Sequence, residues 1–216
     1  MRVLGLDPSL TQYGWALHDT DAPVGTPGRC IDRGRFKTPA KMEFIDRFCL
    51  QRQRLRDLIQ EVDPDKVGIE FPIFNDMWSE GMYGLFLYSC EALKLEKRDA
   101  VFWAPLQIKA HARDSLDRPK GWPMDKMDMV EAAKTDTGGG TWNHNEADAY
   151  LCAVLAGRFW NLHAGVIAEQ DLTRTEQKYF TEIYTPVRGK KAGQTIKRGV
   201  IHREDDRFFA WSTPKE

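Results

Sequence analysis

The chain has 216 residues, 42% hydrophobic and 29% charged, with a net charge of -1, the balance of an ordinary water-soluble globular protein. That length can bury a sizeable core. Its apolar runs are too short to span a bilayer, and no charged segment and apolar stretch precede a cleavage site, so neither a membrane anchor nor a signal peptide is expected. Near-neutral charge gives no general pull on nucleic acid. Cys30, Cys49, Cys90 and Cys152 are scattered without a CxxC pair, which points to a reducing, cytoplasmic setting rather than to zinc or a disulfide framework.

Residues 1–37 predict three strands in an antiparallel meander: 2–7, 13–18 and 30–36, joined by short turns. The first ends in Asp7, where Pro8 and Ser9 open a turn. Residues 41–62 predict a helix. Phe44, Ile45, Phe48, Leu55, Leu58, Ile59 and Val62 form its apolar stripe, and Arg47, Arg52, Arg54 and Arg56 a solvated face. Asp63-Pro64 stops it. Strand 66–70 follows and ends in Glu70, so the helix is a crossover and the strands bearing Asp7 and Glu70 are parallel neighbours. Their acids then leave the sheet at its carboxyl edge, where open α/β sheets bind ligands. Residues 71–78 read as a loop crowded with aromatics, suited either to stacking unpaired bases or to stapling the next helix. Helix 79–97 is apolar around much of its circumference, as a helix covered on two sides would be.

Strand 100–104, closed by Pro105, leads to a short helix carrying Lys109 and His111. A polar stretch, 113–123, and a helix over 124–134 containing Lys126 come next. The glycine-rich loop 137–142 then precedes a helix capped by Asn143 or Asn145. Asp148 lies in that otherwise apolar helix, where an acid is costly unless paired or bound to a metal. Beyond residue 163 the chain turns polar. Arg188, Lys190, Lys191, Lys197 and Arg198, with glycines between them, read as a basic arm able to touch phosphates. The expected organisation is therefore a domain over 1–163 and a basic C-terminal extension over 164–216.

A strand-end aspartate on its own usually caps a turn. Three acids, Asp7, Glu70 and Asp148, brought together are another matter, because such a cluster cannot stay ionised without cations. Oxygen ligands favour Mg2+, with Mn2+ as a substitute, over zinc. Two such ions about 4 Å apart would activate a water and stabilise the leaving oxygen of a phosphodiester.

The set Gly5-Leu6-Asp7-Pro8-Ser9-Leu10-Thr11-Gln12-Tyr13-Gly14-Trp15, Gly68-Ile69-Glu70 and Glu146-Ala147-Asp148-Ala149 resembles the RuvC family of Holliday junction resolvases, within the RNase H-like nucleases. The resemblance covers roughly residues 1–160 in order. It implies an α/β, RNase H-like five-stranded mixed sheet flanked by helices, a homodimer, and magnesium-dependent nicking of two strands of a four-way junction. It also makes Lys109 and Lys126 counterparts of the family's two lysines near the scissile strand. Phe74 falls one residue from the aromatic that the family places at the junction centre. Where the family has a fourth ligand, three residues before the helix acid, this chain has Asn145. Positions three and four before Asp148 share its face and position two does not, so Asn145 or His144 can reach the metals and Glu146 points away. His144 would then serve as a ligand or a proton shuttle. The tail resembles additions found in phage-encoded relatives, which sets the chain in a bacterial cell or a phage-infected host.

Two other classes remain open. One is a junction-binding module that has lost cleavage. The other is a sugar-kinase or chaperone-type ATPase, whose DxGGGT phosphate loop is matched by residues 136–141. That class needs two such domains, however, and its motif opens a strand hairpin rather than a helix, so no nucleotide cofactor is expected.

Overall fold

The computed structural model describes residues 1–39, 41–71 and 79–180 and, further on, the strand segments 183–184, 196–197, 200–204 and 207–211. Strands β1 (Arg2–Asp7), β2 (Gln12–Asp19) and β3 (Cys30–Lys37) form the expected meander. Helix α1 (Phe44–Val62) ends where Asp63 turns into the left-handed region, at φ 42°, and Pro64 follows. It crosses to β4 (Lys66–Glu70), which lies parallel to β1. Helix α2 (Ser79–Leu95) crosses again to β5 (Ala100–Trp103), parallel to β4. Helices α3 (Pro105–Ser115), α4 (Lys126–Thr137), α5 (His144–His163) and α6 (Arg174–Phe180) come next. The chain continues through β6 (Ile183–Tyr184), β7 (Ile196–Lys197), β8 (Val200–Glu204) and β9 (Arg207–Trp211).

The five-stranded mixed core, β3-β2-β1-β4-β5, is present, and the sheet goes further than the sequence suggested. Strand β9 joins parallel to β5 and β8 joins antiparallel to β9, making seven strands; β6 and β7 pair separately. The signal was weak because Phe208-Phe209-Ala210-Trp211 is a single short apolar run inside a polar tail.

Strand alternation divides the core. Val3 and Ala16 face a cluster built from α3, α4 and α5, while Leu4, Leu6, Leu17, Val67 and Ile69 face one built from α1 and α2. Helix α5 lies almost in contact with the strands because glycines stand beneath it. A Cβ on Gly5 would come within 1.9 Å of the Ala149 carbonyl oxygen, and one on Gly14 within 2.3 Å of the Asn145 carbonyl oxygen. Glycine in a strand interior marks such a close approach.

The arginine face of α1 is only partly solvated, and each arginine has a partner. Arg47 is buried and donates to the Met42 carbonyl, Arg52 pairs with Glu91 and Arg56 with Glu96 across the seam to α2, and Arg54 donates to the Lys37 carbonyl. The buried stripe runs through Arg47, Gln51, Leu55, Leu58 and Ile59. Phe44 and Ile45, assigned to the core by periodicity, are 52% and 55% exposed, because the first turn of α1 projects past the packed seam. Helix α2 is covered on one side only. Leu85, Phe86, Ala92 and Leu93 are buried, and Tyr83, Leu87 and Leu95 are exposed. No helix of the described residues is long and apolar enough to cross a membrane.

Candidate active site

Period-two alternation aims the acids. On β1, Val3 and Gly5 face α5, so Asp7 does as well; on β4, Gly68 lies against Ala156 of α5, so Glu70 points the same way. Both strands are parallel and end at one edge of the sheet. Asp148 lies in the first turns of α5, one turn from Asn145 and Cys152, which stack over Gly14 and Gly68. Three acids from β1, β4 and α5 thus meet on one face at one edge, each half-buried.

Burial, reinforced at Asp7 and Glu70 by repulsion from neighbouring carboxylates, raises all three acids. Burial first, then the Glu70 and Asp148 carboxylates, hold the Asp7 carboxyl far above the usual range, and Lys126 partly offsets them. Burial and Asp148 also raise Glu70, against Lys109. Burial lifts Asp148 to about 6, while Lys109 and Lys126 oppose it. The two lysines, from α3 and α4, thus lie close enough for their charge to act on these acids. Among the described residues no three His, Cys, Asp or Glu side chains are already gathered into a metal cage. Yet the donor set, three carboxylates at one sheet edge that charge alone would disperse, suits hard divalent cations.

Asn145 is buried, and its Nδ2 donates to the Gln12 carbonyl oxygen at 2.6 Å. Only its Oδ1 is then left to face a metal. Asn143 caps α5 by accepting from the Asn145 backbone N–H. His144 is half-buried, and burial, Lys126 and Arg35 hold its imidazole below its ordinary value. Glu146 turns away, as expected, toward Arg35 at 3.0 Å and Arg33 at 3.6 Å.

Arg35 is the neighbour that the sequence reading missed. It donates to Gln12 Oε1 and to Glu146, tying β2, β3 and the start of α5 together beside His144. The available signal was the alternation of Arg33 and Arg35 on one face of β3. Phe71 packs edge-on against Phe86, ring centroids 5.0 Å apart, so it is not a free aromatic of the loop. Phe74, Arg188, Lys190, Lys191 and Arg198 lie outside the described residues, as does the side chain of Lys197.

The glycine loop is spent on structure. Asp136 accepts from Arg29 Nε at 2.6 Å and from the Tyr150 hydroxyl, Gly138 sits at φ 73° against the Gly25 carbonyl, and the segment runs into α5. A phosphate-binding hairpin is not formed there.

No family model matches the chain. The sequence is 35% identical over 75 residues to the crossover junction endodeoxyribonuclease RuvC of Halothermothrix orenii, covering 35% of this chain and 44% of that protein. It is 30% identical over 111 residues to the RuvC of Alkaliphilus metalliredigens, covering 50% of this chain and 66% of that one. The matches thus span less than two thirds of these relatives. Among solved structures, T. thermophilus RuvC in complex with a Holliday junction substrate superposes with a TM-score of 0.61 at 16% identity, over 71% of this chain and 91% of that one. The Thermus thermophilus RuvC structure gives 0.60 at 15% identity, over 76% and 97%. The fold is RNase H-like, as in RuvC, and the chain is similar in sequence to RuvC Holliday junction resolvases.

Proposed function

Taking likeness to RuvC as the premise, we propose that this chain is a divalent-metal-dependent endonuclease that resolves four-way junctions and other branched DNA by paired phosphodiester hydrolysis. One observation carries the reading: acids from β1, β4 and α5 converge on one face of one sheet edge, with Lys109 and Lys126 beside them. Asp7, Glu70 and Asp148 would hold Mg2+, or Mn2+ in its place, as two ions per site; Asn145 would add a neutral oxygen. Such ions lower the pKa of a bound water and neutralise charge at the phosphate. The chain's own residues do the rest. The three carboxylates fix where the phosphate must lie. Lys109 and Lys126 offset its charge, the latter from an exposed position on the rim. His144 would act as a further ligand or as a proton shuttle.

Outside the described residues, Phe74 would sit at the branch point, and Arg188, Lys190, Lys191, Lys197 and Arg198 would contact the DNA backbone. The exposed apolar side chains of α1 and α2, Phe44, Ile45 and Leu87, support a homodimer formed on that side. Residues 1–163 would form the nuclease domain and 164–216 the extension, in a cytoplasmic protein.

The Asn145 amide bond to Gln12 favours one second reading, a module that binds junctions but does not cut them. A synthetic four-way junction with Mg2+ separates the two. Symmetric nicks, abolished in Asp7→Asn, support the enzyme; tight binding without nicks supports the module. Mapping the cuts for Asn145→Asp and His144→Ala then assigns the fourth position.

A further inference from the structure

The two most exposed large apolar side chains among the described residues are Met127, at 71%, and Leu106, at 69%. One such residue alone would mean nothing. Their placement is what counts. Leu106 is the second residue of α3, three past Trp103, which pairs with Glu70 across the parallel β4–β5 ladder. It therefore starts at the edge where the acids end. Lys109 lies three residues on, on the same helix face. Met127 follows Lys126 in the first turn of α4. Helices α3 and α4 pack together. Each apolar side chain thus flanks one of the two lysines whose charge reaches the acids.

We propose that Leu106 and Met127 form an apolar rim against which the scissile DNA strand lays its deoxyribose and base faces, while Lys109 and Lys126 take its phosphates. This rests on the nuclease reading above. A DNA strand offers both chemistries, anionic on its phosphate side and apolar on its sugar and base side, and leucine and methionine side chains are among those that proteins set against base steps. A second copy of the chain is the other possible occupant. The exposed apolar residues of α1 and α2 lie on the opposite face of the sheet, which leaves the α3–α4 rim to DNA.

The test uses the full chain, Leu106→Ser/Met127→Ser, and a fluorescent four-way junction titrated between about 50 and 200 mM salt. Apolar contacts release no counterions. The double variant should therefore bind about tenfold more weakly at every salt concentration, a loss of ~1.4 kcal/mol, with the slope of log K against log salt unchanged. Lys126→Ala should instead flatten that slope by about one unit. An abasic nucleotide beside the cut should weaken the wild type and leave the double variant unchanged. Three results overturn the rim: binding within twofold of wild type, a flattened salt slope in the double variant, or a loss explained by a shifted monomer–dimer equilibrium in sedimentation. If the wild type ignores the junction, the nuclease reading falls with it; if only the double variant matches wild type, the rim alone falls.

Discussion

The two faces of the sheet are built to different rules. Directly under α5 the strands present Gly5, Gly14 and Gly68, the helix answers with Ala149, Ala153 and Ala156, and backbone lies on backbone. Toward α1 and α2 they present leucine, valine and isoleucine, and the packing is large side chain on large side chain, as in Leu55, Ile59, Leu85 and Leu93. The first arrangement tolerates almost no displacement, and it is the one that sets Asp148 against Asp7 and Glu70. The second can give, and no acid of the site depends on it.

The hardest way to break that contrast is to put bulk under α5. Gly5→Val places its Cβ on the Ala149 carbonyl and should cost at least about 3 kcal/mol, by denaturant unfolding, along with junction cleavage. Gly81→Ala, on α2, comes closest to a Leu10 methyl at 3.3 Å, with the other Leu10 methyl at 3.7 Å and the Phe44 ring at 3.9 Å. The leucine tip can move, and alanine favours a helix by up to about 1 kcal/mol, so stability should stay level or rise. If the two substitutions cost the same, the distinction between the faces is wrong.

The next largest effect is at the acids. Asp7→Asn should lower cleavage by about 1,000-fold, ~4 kcal/mol in transition-state terms. It should also stabilise the metal-free protein, because it removes a carboxylate that burial, and then Glu70 and Asp148, disfavour. Thermal unfolding with and without Mg2+ checks both signs. Wild type should gain about 2.7 kcal/mol when the ion is at a hundred times its dissociation constant, and the variant little. A variant that gains as much as wild type would dissociate Asp7 from metal binding.

Much of this was legible in the chain, and the reason is local. A strand that ends in an acid before proline, a helix stopped by Asp63-Pro64, and an acid inside an apolar helix are statements about a few neighbouring residues each. The fold then required only that parallel strands share an edge. What was not legible depended on partners far apart in sequence. Arg47 looked like surface until the carbonyls of residues 39 and 42 supplied its hydrogen bonds. Asn145 looked like a free ligand until β2 offered the Gln12 carbonyl. Phe44 and Ile45 had the right period and the wrong end of the helix. Strands β8 and β9 were hidden because β9 pairs to β5 across about a hundred residues of sequence and β8 only follows it.

The α5 face also hides polar groups, and these give the contrast a pH signature. His18 is buried against Tyr150, with Nδ1 placed to donate to the Arg29 carbonyl at 3.0 Å. Burial, then the Arg29 charge, lowers its pKa to about 4, against 6.5 when free. In the unfolded chain it takes up a proton near pH 6.5, whereas the folded chain resists until about 4. The stability it contributes is therefore complete above pH 6.5 and lost as the pH falls toward 4, up to about 3 kcal/mol. His18→Asn keeps a donor for the carbonyl and cannot charge, so the slope of unfolding free energy over that window should flatten. An unchanged slope would place the acid sensitivity in other groups.

The smallest effect belongs to the α1–α2 seam. Arg56 Nε stands 2.6 Å from Glu96 Oε1, and that contact with Gln60 holds the glutamate below its usual pKa. The Arg56 side chain nevertheless stays about a third exposed, where water and salt screen the pair. Arg56→Gln should cost less than about 1 kcal/mol, and less still at high salt. The loss should leave junction cleavage untouched, since the seam positions none of the acids. A larger, salt-independent loss, or a fall in cleavage at full occupancy of the fold, would mean that strain at α1 is transmitted through the sheet to α5, and that the yielding face is as rigid as the other.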